Sequence, residues 1–194
     1  MIFEVSLRSK KQVGADAFEL TFRLLNGKKI VFSPCQYIWL ILPKLDFSDP
    51  RGDRRAFSIV SSSARQDSVS ILFRVSDSGY KKTLLALPLG ATLRIKGPHG
   101  QSFIVNKTVG PALCLIAGGM GLAPFLGILR SLERMRVRPR ITLIFLIRSN
   151  EASSLSEELR RLGGQEKIRL IEHTGLFDLT LLPSRAQASA ETYF

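Results

Sequence analysis

The amino-acid sequence predicts two domains, an antiparallel β-barrel over residues 1–105 and then an α/β domain with a parallel sheet over residues 106–194 that lacks its last elements. Three observations lead there. Up to about residue 103 the apolar residues come in short alternating stretches separated by turn residues, the pattern of antiparallel strands that bury one face. From about residue 112 the stretches become apolar throughout and alternate with helical segments, as in a parallel sheet covered on both sides. The chain closes on Glu191-Thr192-Tyr193-Phe194, which has the propensity of a strand's beginning, so a further strand and helix are expected after it.

In the first domain the expected strands are residues 3–7, 17–24, 29–32, 37–42, 56–60, 68–75 and 92–96. Asn26-Gly27 predicts a hairpin between the second and third, because both residues tolerate positive φ. One short helix fits, starting near Lys81 and stopping before Pro88. The change of pattern falls at residues 104–111. Beyond it come a buried strand over 113–117, a glycine turn, a helix from about Pro124, strand 141–147, helix 156–162 and strand 167–172. Residues 111–129 have nearly the length of a membrane span, but Gly118, Gly119, Gly121 and Pro124 in mid-run argue for strand, turn and helix instead. No transmembrane segment is expected.

Hydrophobic residues at 45% and charged residues at 23% exclude a disordered or fibrous chain. The net charge of +12 would suit nucleic acid, an anionic surface or an acidic protein. Its densest cluster, Arg130, Arg134, Arg136, Arg138 and Arg140, begins where cations favour a helix C-terminus. No aromatic residues are interleaved with it, so no nucleic-acid partner is expected. Cys35 and Cys114 lie far apart in apolar runs, which is poor spacing for zinc and too few thiolates for an iron–sulfur cluster. No metal is expected, and the two read as buried thiols of a reducing compartment. Without the pattern of a signal peptide at Met1-Ile2-Phe3-Glu4, the expected location is cytoplasmic.

Two segments carry chemistry. In Asp53-Arg54-Arg55-Ala56-Phe57-Ser58-Ile59, Arg55 and Phe57 share one face of an extended strand. A guanidinium grips a diphosphate, an aromatic face covers a flat ring, and Ser58 offers a hydrogen bond to a ring edge. Taken alone, the same common tetrapeptide reads more readily as a surface Arg beside a core Phe. Downstream, the 73–79 stretch turns through Gly79 into the short helix, whose first amides face an anion alongside Tyr80, Lys81 and Lys82. The second segment, Gly118-Gly119-Met120-Gly121-Leu122-Ala123-Pro124, follows a buried strand. Its glycines let a ligand approach the backbone, and Pro124 suits a first helical turn. Arg148, at the carboxyl end of the next parallel strand, reads either as a contact to a nucleotide or as a solvated strand-end charge.

The order of Ser33-Pro34-Cys35-Gln36-Tyr37, Arg55-Ala56-Phe57-Ser58, the Gly79 turn, Gly97-Pro98-His99-Gly100 and the second glycine turn resembles the ferredoxin-NADP reductase superfamily. The resemblance covers essentially all of the chain. It implies a flavin-binding barrel followed by a Rossmann-like nucleotide domain, with FAD as cofactor and NAD(P)H as electron donor. Arg55 would hold the FAD pyrophosphate, Phe57 would stack on the isoalloxazine and Ser58 would lie near the flavin N5. Gly79, Tyr80, Lys81 and Lys82 would make the second phosphate contact; Gly118, Gly119, Gly121, Pro124 and Arg148 would hold the pyridine nucleotide. Departures from the family pattern are Phe57 for Tyr, Cys35 for Gly, Lys81 for Ser and Ala123 for Thr. The family's segment on its last parallel strand would begin just after Phe194.

The implied activity is an NAD(P)H-dependent reductase that passes electrons through FAD to a separate acceptor, a protein or a small molecule. A basic surface suits an acidic carrier. The cofactors carry such a reaction, so no side chain is expected to act as acid or base, and His99 and His173 read as structural or surface residues. The alternative is a non-catalytic flavin-binding subunit for electron transfer or regulation that depends on a partner's redox centre.

Overall fold

The structure is a computed structural model of the chain and describes residues 1–101, 112–132, 140–147, 154–164 and 168–174. The expected boundary at 104–111, Arg134, Arg136, Arg138, Arg148, Lys167 and the terminal segment 191–194 lie outside the described residues.

Six strands form one antiparallel sheet: β1 (Ile2–Gln12), β2 (Ala17–Leu24), β3 (Tyr37–Ile41), β4 (Arg54–Ser58), β5 (Ser68–Arg74) and β6 (Thr92–His99). Their spatial order is β4-β3-β6-β1-β2-β5. The two end strands meet where Ile59 bridges Ile71 and the Val60 amide donates to the Ser70 carbonyl at 2.9 Å, which closes the sheet into a barrel. The expected strand at 56–60 therefore begins two residues earlier, because residues 54–58 pair with β3 and Ile59 then changes partner to β5. Inward-facing Val5, Leu7, Leu20, Phe22, Ile38, Leu40, Ile71, Leu93 and Ile95 fill the interior.

Asn26 and Gly27 adopt φ of 58° and 64°, and the Lys28 amide donates to the Leu25 carbonyl at 3.2 Å, so the turn forms, but the expected hairpin does not, because no paired strand follows it. The strand expected at 29–32 does not form. Ile30 and Phe32 are buried between exposed neighbours, so the alternation is real, but among the described residues the one ladder-like bond is from the Ile30 amide to the Gln66 carbonyl at 2.8 Å. Alternation reports which face is buried, and here the burial comes without a paired strand.

The helix α1 (Gly79–Ala86) packs against the barrel through Tyr80, Thr83 and Leu84. Its N-cap is Ser78, whose Oγ accepts from the Lys81 amide at 3.4 Å. The second sheet is parallel, in the order β7 (Ala112–Gly118), β8 (Arg140–Ile147), β9 (Ile168–Thr174). A 3-10 turn over Gly119–Leu122 leads from β7 into α2 (Ala123–Ser131), and α3 (Ser154–Gly163) follows β8. The apolar 111–129 run thus divides into strand, turn and helix, and among the described residues no helix is long and apolar enough to cross a membrane.

The core of the parallel sheet takes Val13, Ala17, Val60 and Leu72 from the barrel beside Leu122, Leu126, Leu129 and Leu143. Gly127 is the closest point: a Cβ there would lie 2.5 Å from the Ile59 carbonyl oxygen, so only glycine lets α2 rest on the end of β4. Ser131 adds a bond on the same face, accepting from the Ser63 amide at 2.9 Å while donating to the Gly127 carbonyl.

Candidate cofactor site

Strand β4 alternates exposed and buried residues, so Arg55 and Phe57 share the face turned toward α1. Arg55 is 8% exposed and its guanidinium lies 4.9 Å from the centre of the Tyr80 ring. Its Nη1 donates to the carbonyls of Arg51, Gly52 and Arg54, and its Nη2 donates to Asp49 Oδ1 at 2.5 Å. The other carboxylate oxygen of Asp49 accepts from the Tyr80 amide at 3.0 Å and the Ser78 hydroxyl at 2.6 Å. A fixed cation and the N-terminus of α1 thus converge on one carboxylate. The hydrogen bonds from Ser78, Tyr80 and Arg51, together with the nearby Arg55 charge, hold Asp49 well below the ordinary carboxylate range.

The surroundings are positive. Lys81 is half-buried, and its ammonium is pulled below the usual lysine range by burial first and then by Arg51, Arg55 and Arg74. Lys82 points to solvent and pairs with Asp77 at 3.2 Å. Gly79 carries the Ser48 carbonyl directly above it: a Cβ there would stand 2.1 Å from that oxygen.

Phe57 is enclosed, 6.2 Å from Tyr80 in a stacked pair and 6.2 Å from Phe73 edge-on. Ser58 is half-buried at the end of β4, opposite Tyr37, which in turn lies opposite His99 on β6. A hydroxyl, a phenol and an imidazole therefore form one row across three strands. The Tyr37 and His99 rings lie 5.5 Å apart at a tilt of 33°, and His99 Nε2 is buried with no hydrogen-bond partner among the described residues. The turn at Gly97 and Gly100, with φ of 149° and 83°, wraps the row: a Cβ on Gly100 would meet the Tyr37 ring at 3.3 Å. Sequence reasoning passed over Tyr37 and His99, although their place in the two turn motifs was a signal.

In the parallel sheet, Gly118 to Pro124 form the expected junction of strand, turn and helix, with Pro124 in the first turn of α2. Gly119 has φ of 50°. Gly121 has no atom within 4 Å of where a Cβ would be, and at Gly118 the nearest is 3.9 Å away, so packing requires neither to be glycine. No side chain caps the first amides of the turn or of α2. The Ala123 amide donates to the Met120 carbonyl, while a glycine turn without a side-chain cap suits an anionic ligand laid against the backbone. Cys35, at φ 70°, points its Sγ toward the Pro124 carbonyl at 3.8 Å, which ties the barrel to this junction.

Arg130, expected at a helix C-terminus, is in the last turn of α2 and does more than oppose the dipole. It donates to Glu19 of β2 at 2.8 and 2.9 Å and to Glu158 of α3 at 2.8 and 2.7 Å, with a further bond to the Val60 carbonyl. No sequence spacing connects these three residues.

The FAD reading can be tested on the chain's own atoms. Asp49 is an anion already seated between Arg55 and the α1 amides, so the donors fit a phosphate oxygen. The unpartnered His99 Nε2 beside Tyr37 and Ser58 fits a polar ring edge. A family model described as an oxidoreductase FAD-binding domain matches residues 4–104. The chain is 31% identical over 172 residues to ferredoxin–NADP reductase B of Sorangium cellulosum, covering 86% of this chain and 67% of that protein. It is 27% identical to the reductase component of propane 2-monooxygenase of Gordonia sp., over 79% of this chain and 42% of that protein. Its fold is similar to the flavohaem-like FAD/NAD-binding domain of nitric oxide dioxygenase from Vibrio cholerae, with a TM-score of 0.74, 18% identity, and 93% of this chain and 81% of that one covered. The chain spans 67% and 42% of the lengths of these two curated relatives.

Proposed function

Because the chain belongs to the oxidoreductase FAD-binding domain family, we propose that it is the reductase part of an NAD(P)H-dependent flavoprotein that delivers electrons to a separate acceptor. The observation that carries this reading is the convergence of Arg55 and the Tyr80 amide on one anion at the start of α1. FAD, when bound, supplies a ring that takes a hydride from a nicotinamide and releases electrons to the acceptor. Arg55 and Lys81 neutralise the diphosphate at the N-terminus of α1, where Gly79 leaves room for backbone to lie directly above it. Ser58, Tyr37 and His99 offer polar contacts to the ring edge, while Phe57, packed on Tyr80 and Phe73, is the apolar side of the site. Gly118, Gly119, Gly121 and the first turn at Pro124 receive the pyridine nucleotide, with Arg148 as a further contact. The close packing of the barrel against α2 at Gly127 supports bringing the two cofactors together. No proton is moved by a side chain in this scheme.

The acceptor matches an acidic protein. Arg54, Arg94 and Lys96 are exposed on the outer face of β4, β3 and β6, with Arg54 stacked 5.7 Å from the centre of Trp39. Two free cysteines, Cys35 and Cys114, fit a reducing cytoplasm. The FAD-loaded chain is expected to bleach on anaerobic addition of NADPH or NADH. Retained colour with either nucleotide, in a chain that holds FAD, favours instead a flavin-binding subunit without its own donor.

A further inference from the structure

The Tyr80 and Lys81 amides, the Ser78 hydroxyl and the inner end of Arg55, donors suited to a diphosphate at α1, are already engaged. An amide carries one hydrogen, and that of Tyr80 is given to Asp49 Oδ2. The Lys81 amide is given to Ser78 Oγ, and the Ser78 hydroxyl to Asp49. Arg55 gives Nη1 to the Arg51 and Gly52 carbonyls of the loop that carries Asp49 and to the Arg54 carbonyl of β4, and Nη2 to Asp49 itself, so the end of the guanidinium that faces α1 is taken by the loop. The Asp49 side chain is 4% exposed.

The loop that brings it there is fastened at both ends of its arc. The amides of Asp46 and Phe47 donate to Thr83 Oγ1 on α1 at 3.1 and 3.2 Å. The Ser48 carbonyl rests on Gly79. Asp49-Pro50-Arg51-Gly52 forms a tight turn, with the Gly52 amide donating to the Asp49 carbonyl at 3.0 Å and the Arg51 amide to Asp49 Oδ1 at 2.9 Å. One carboxylate stands against Arg51, Arg55 and Lys81, an excess of positive charge that a more highly charged anion would answer better.

We propose that Asp49 is an internal stand-in for the cofactor's diphosphate, so that the 46–53 loop must leave α1 before a diphosphate is held there, and Asp49 thereby sets the cofactor's affinity. This rests on the flavin reading for the identity of the ligand, and on the bonds above for the competition. A carboxylate tethered in the same chain competes at high effective concentration. The observed affinity is the intrinsic one scaled by the open fraction, so a site closed nine-tenths of the time binds about tenfold more weakly.

The test is a set of titrations of the full chain, Asp49→Asn and Asp49→Ala with inorganic pyrophosphate, FAD and riboflavin, which lacks the diphosphate. Pyrophosphate and FAD are expected to bind both variants at least about tenfold more tightly, with riboflavin unchanged. Equal or weaker pyrophosphate binding in both variants overturns the proposal and makes Asp49 a brace for Arg55. Tighter pyrophosphate with no FAD binding by any chain overturns the flavin reading alone. Hydrogen exchange on the unaltered chain covers variants that fail to fold: pyrophosphate should speed exchange at the Asp46, Phe47 and Arg51 amides, and slowed or unchanged exchange overturns the proposal.

Discussion

Cys35 shows what a single residue costs and what it reveals. Its φ of 70° is a conformation in which glycine is at ease, and glycine is what the family pattern has at this position. Burial pushes its thiol up to about 12, and it does the same in direction for Cys114. An unfolded thiol ionises near pH 9.0, so the stability tied to the neutral Cys35 is complete below that value and is lost as pH rises from there toward about 12. In a Cys114→Ser background, labelling of Cys35 by a disulfide reagent should be slow at pH 8, where roughly one thiol in 10⁴ is ionised, and should rise about tenfold per pH unit. Rapid labelling that levels off near pH 9 would refute the burial.

At this scale the sequence was legible where chemistry is local. Asn26-Gly27 and the shared face of Arg55 and Phe57 follow from φ tolerance and from the two-residue period of a strand. The turn at Asp49-Pro50-Arg51-Gly52 has its own signature, with Asp first, Pro second and Gly fourth. The destination of the Asp49 carboxylate has none, since Ser78 and Tyr80 are reached only when the barrel brings α1 beside the loop.

Among the elements, α2 separates two uses of glycine. Gly127 is demanded by packing, and Gly121 is not. Gly127→Ala should therefore lower stability by about 1–3 kcal/mol through overpacking against the Ile59 carbonyl, read as a fall in thermal midpoint. Gly121→Ala should leave the midpoint nearly unchanged and weaken pyridine-nucleotide binding severalfold. The reverse pattern, with Gly121→Ala unfolding the chain and Gly127→Ala harmless, would show that the glycine turn serves the fold alone. The helix and its preceding strand were readable from apolar runs and Pro124, because both signals are periodic or positional. The failure at 29–32 has the opposite origin: a buried alternation predicts a face, and pairing needs a neighbour that no local pattern supplies.

In the molecule as a whole, the barrel and the parallel sheet are joined by packing and by charge. Arg130 stands between Glu19 and Glu158 with its side chain 18% exposed and theirs 14% and 21%. Burial opposes the charge on Glu158, but its bonds to Arg130 and the attraction of Arg130, Arg161 and Lys11 prevail and hold it below the ordinary 4.5. Its contribution is thus present above about pH 4.5 and is lost as pH falls below it. Arg130→Met leaves two carboxylates facing each other and should cost about 3 kcal/mol at neutral pH, with the penalty shrinking in acid as they protonate. A pH-independent penalty in thermal melts from pH 4 to pH 7 would assign the loss to packing. The two-part architecture was readable from the change in hydrophobic pattern, whereas this clamp was not, because its three members come from elements far apart in sequence.

The flavin site proposed on the Arg55 side of the barrel is read out by titrating the purified chain with FAD. The account predicts saturation at one FAD per chain and an affinity at least about tenfold weaker in Arg55→Ala, as expected for a lost charged hydrogen-bonding group. A chain that takes up no FAD in excess ligand, or an Arg55→Ala chain that binds it unchanged, would contradict it.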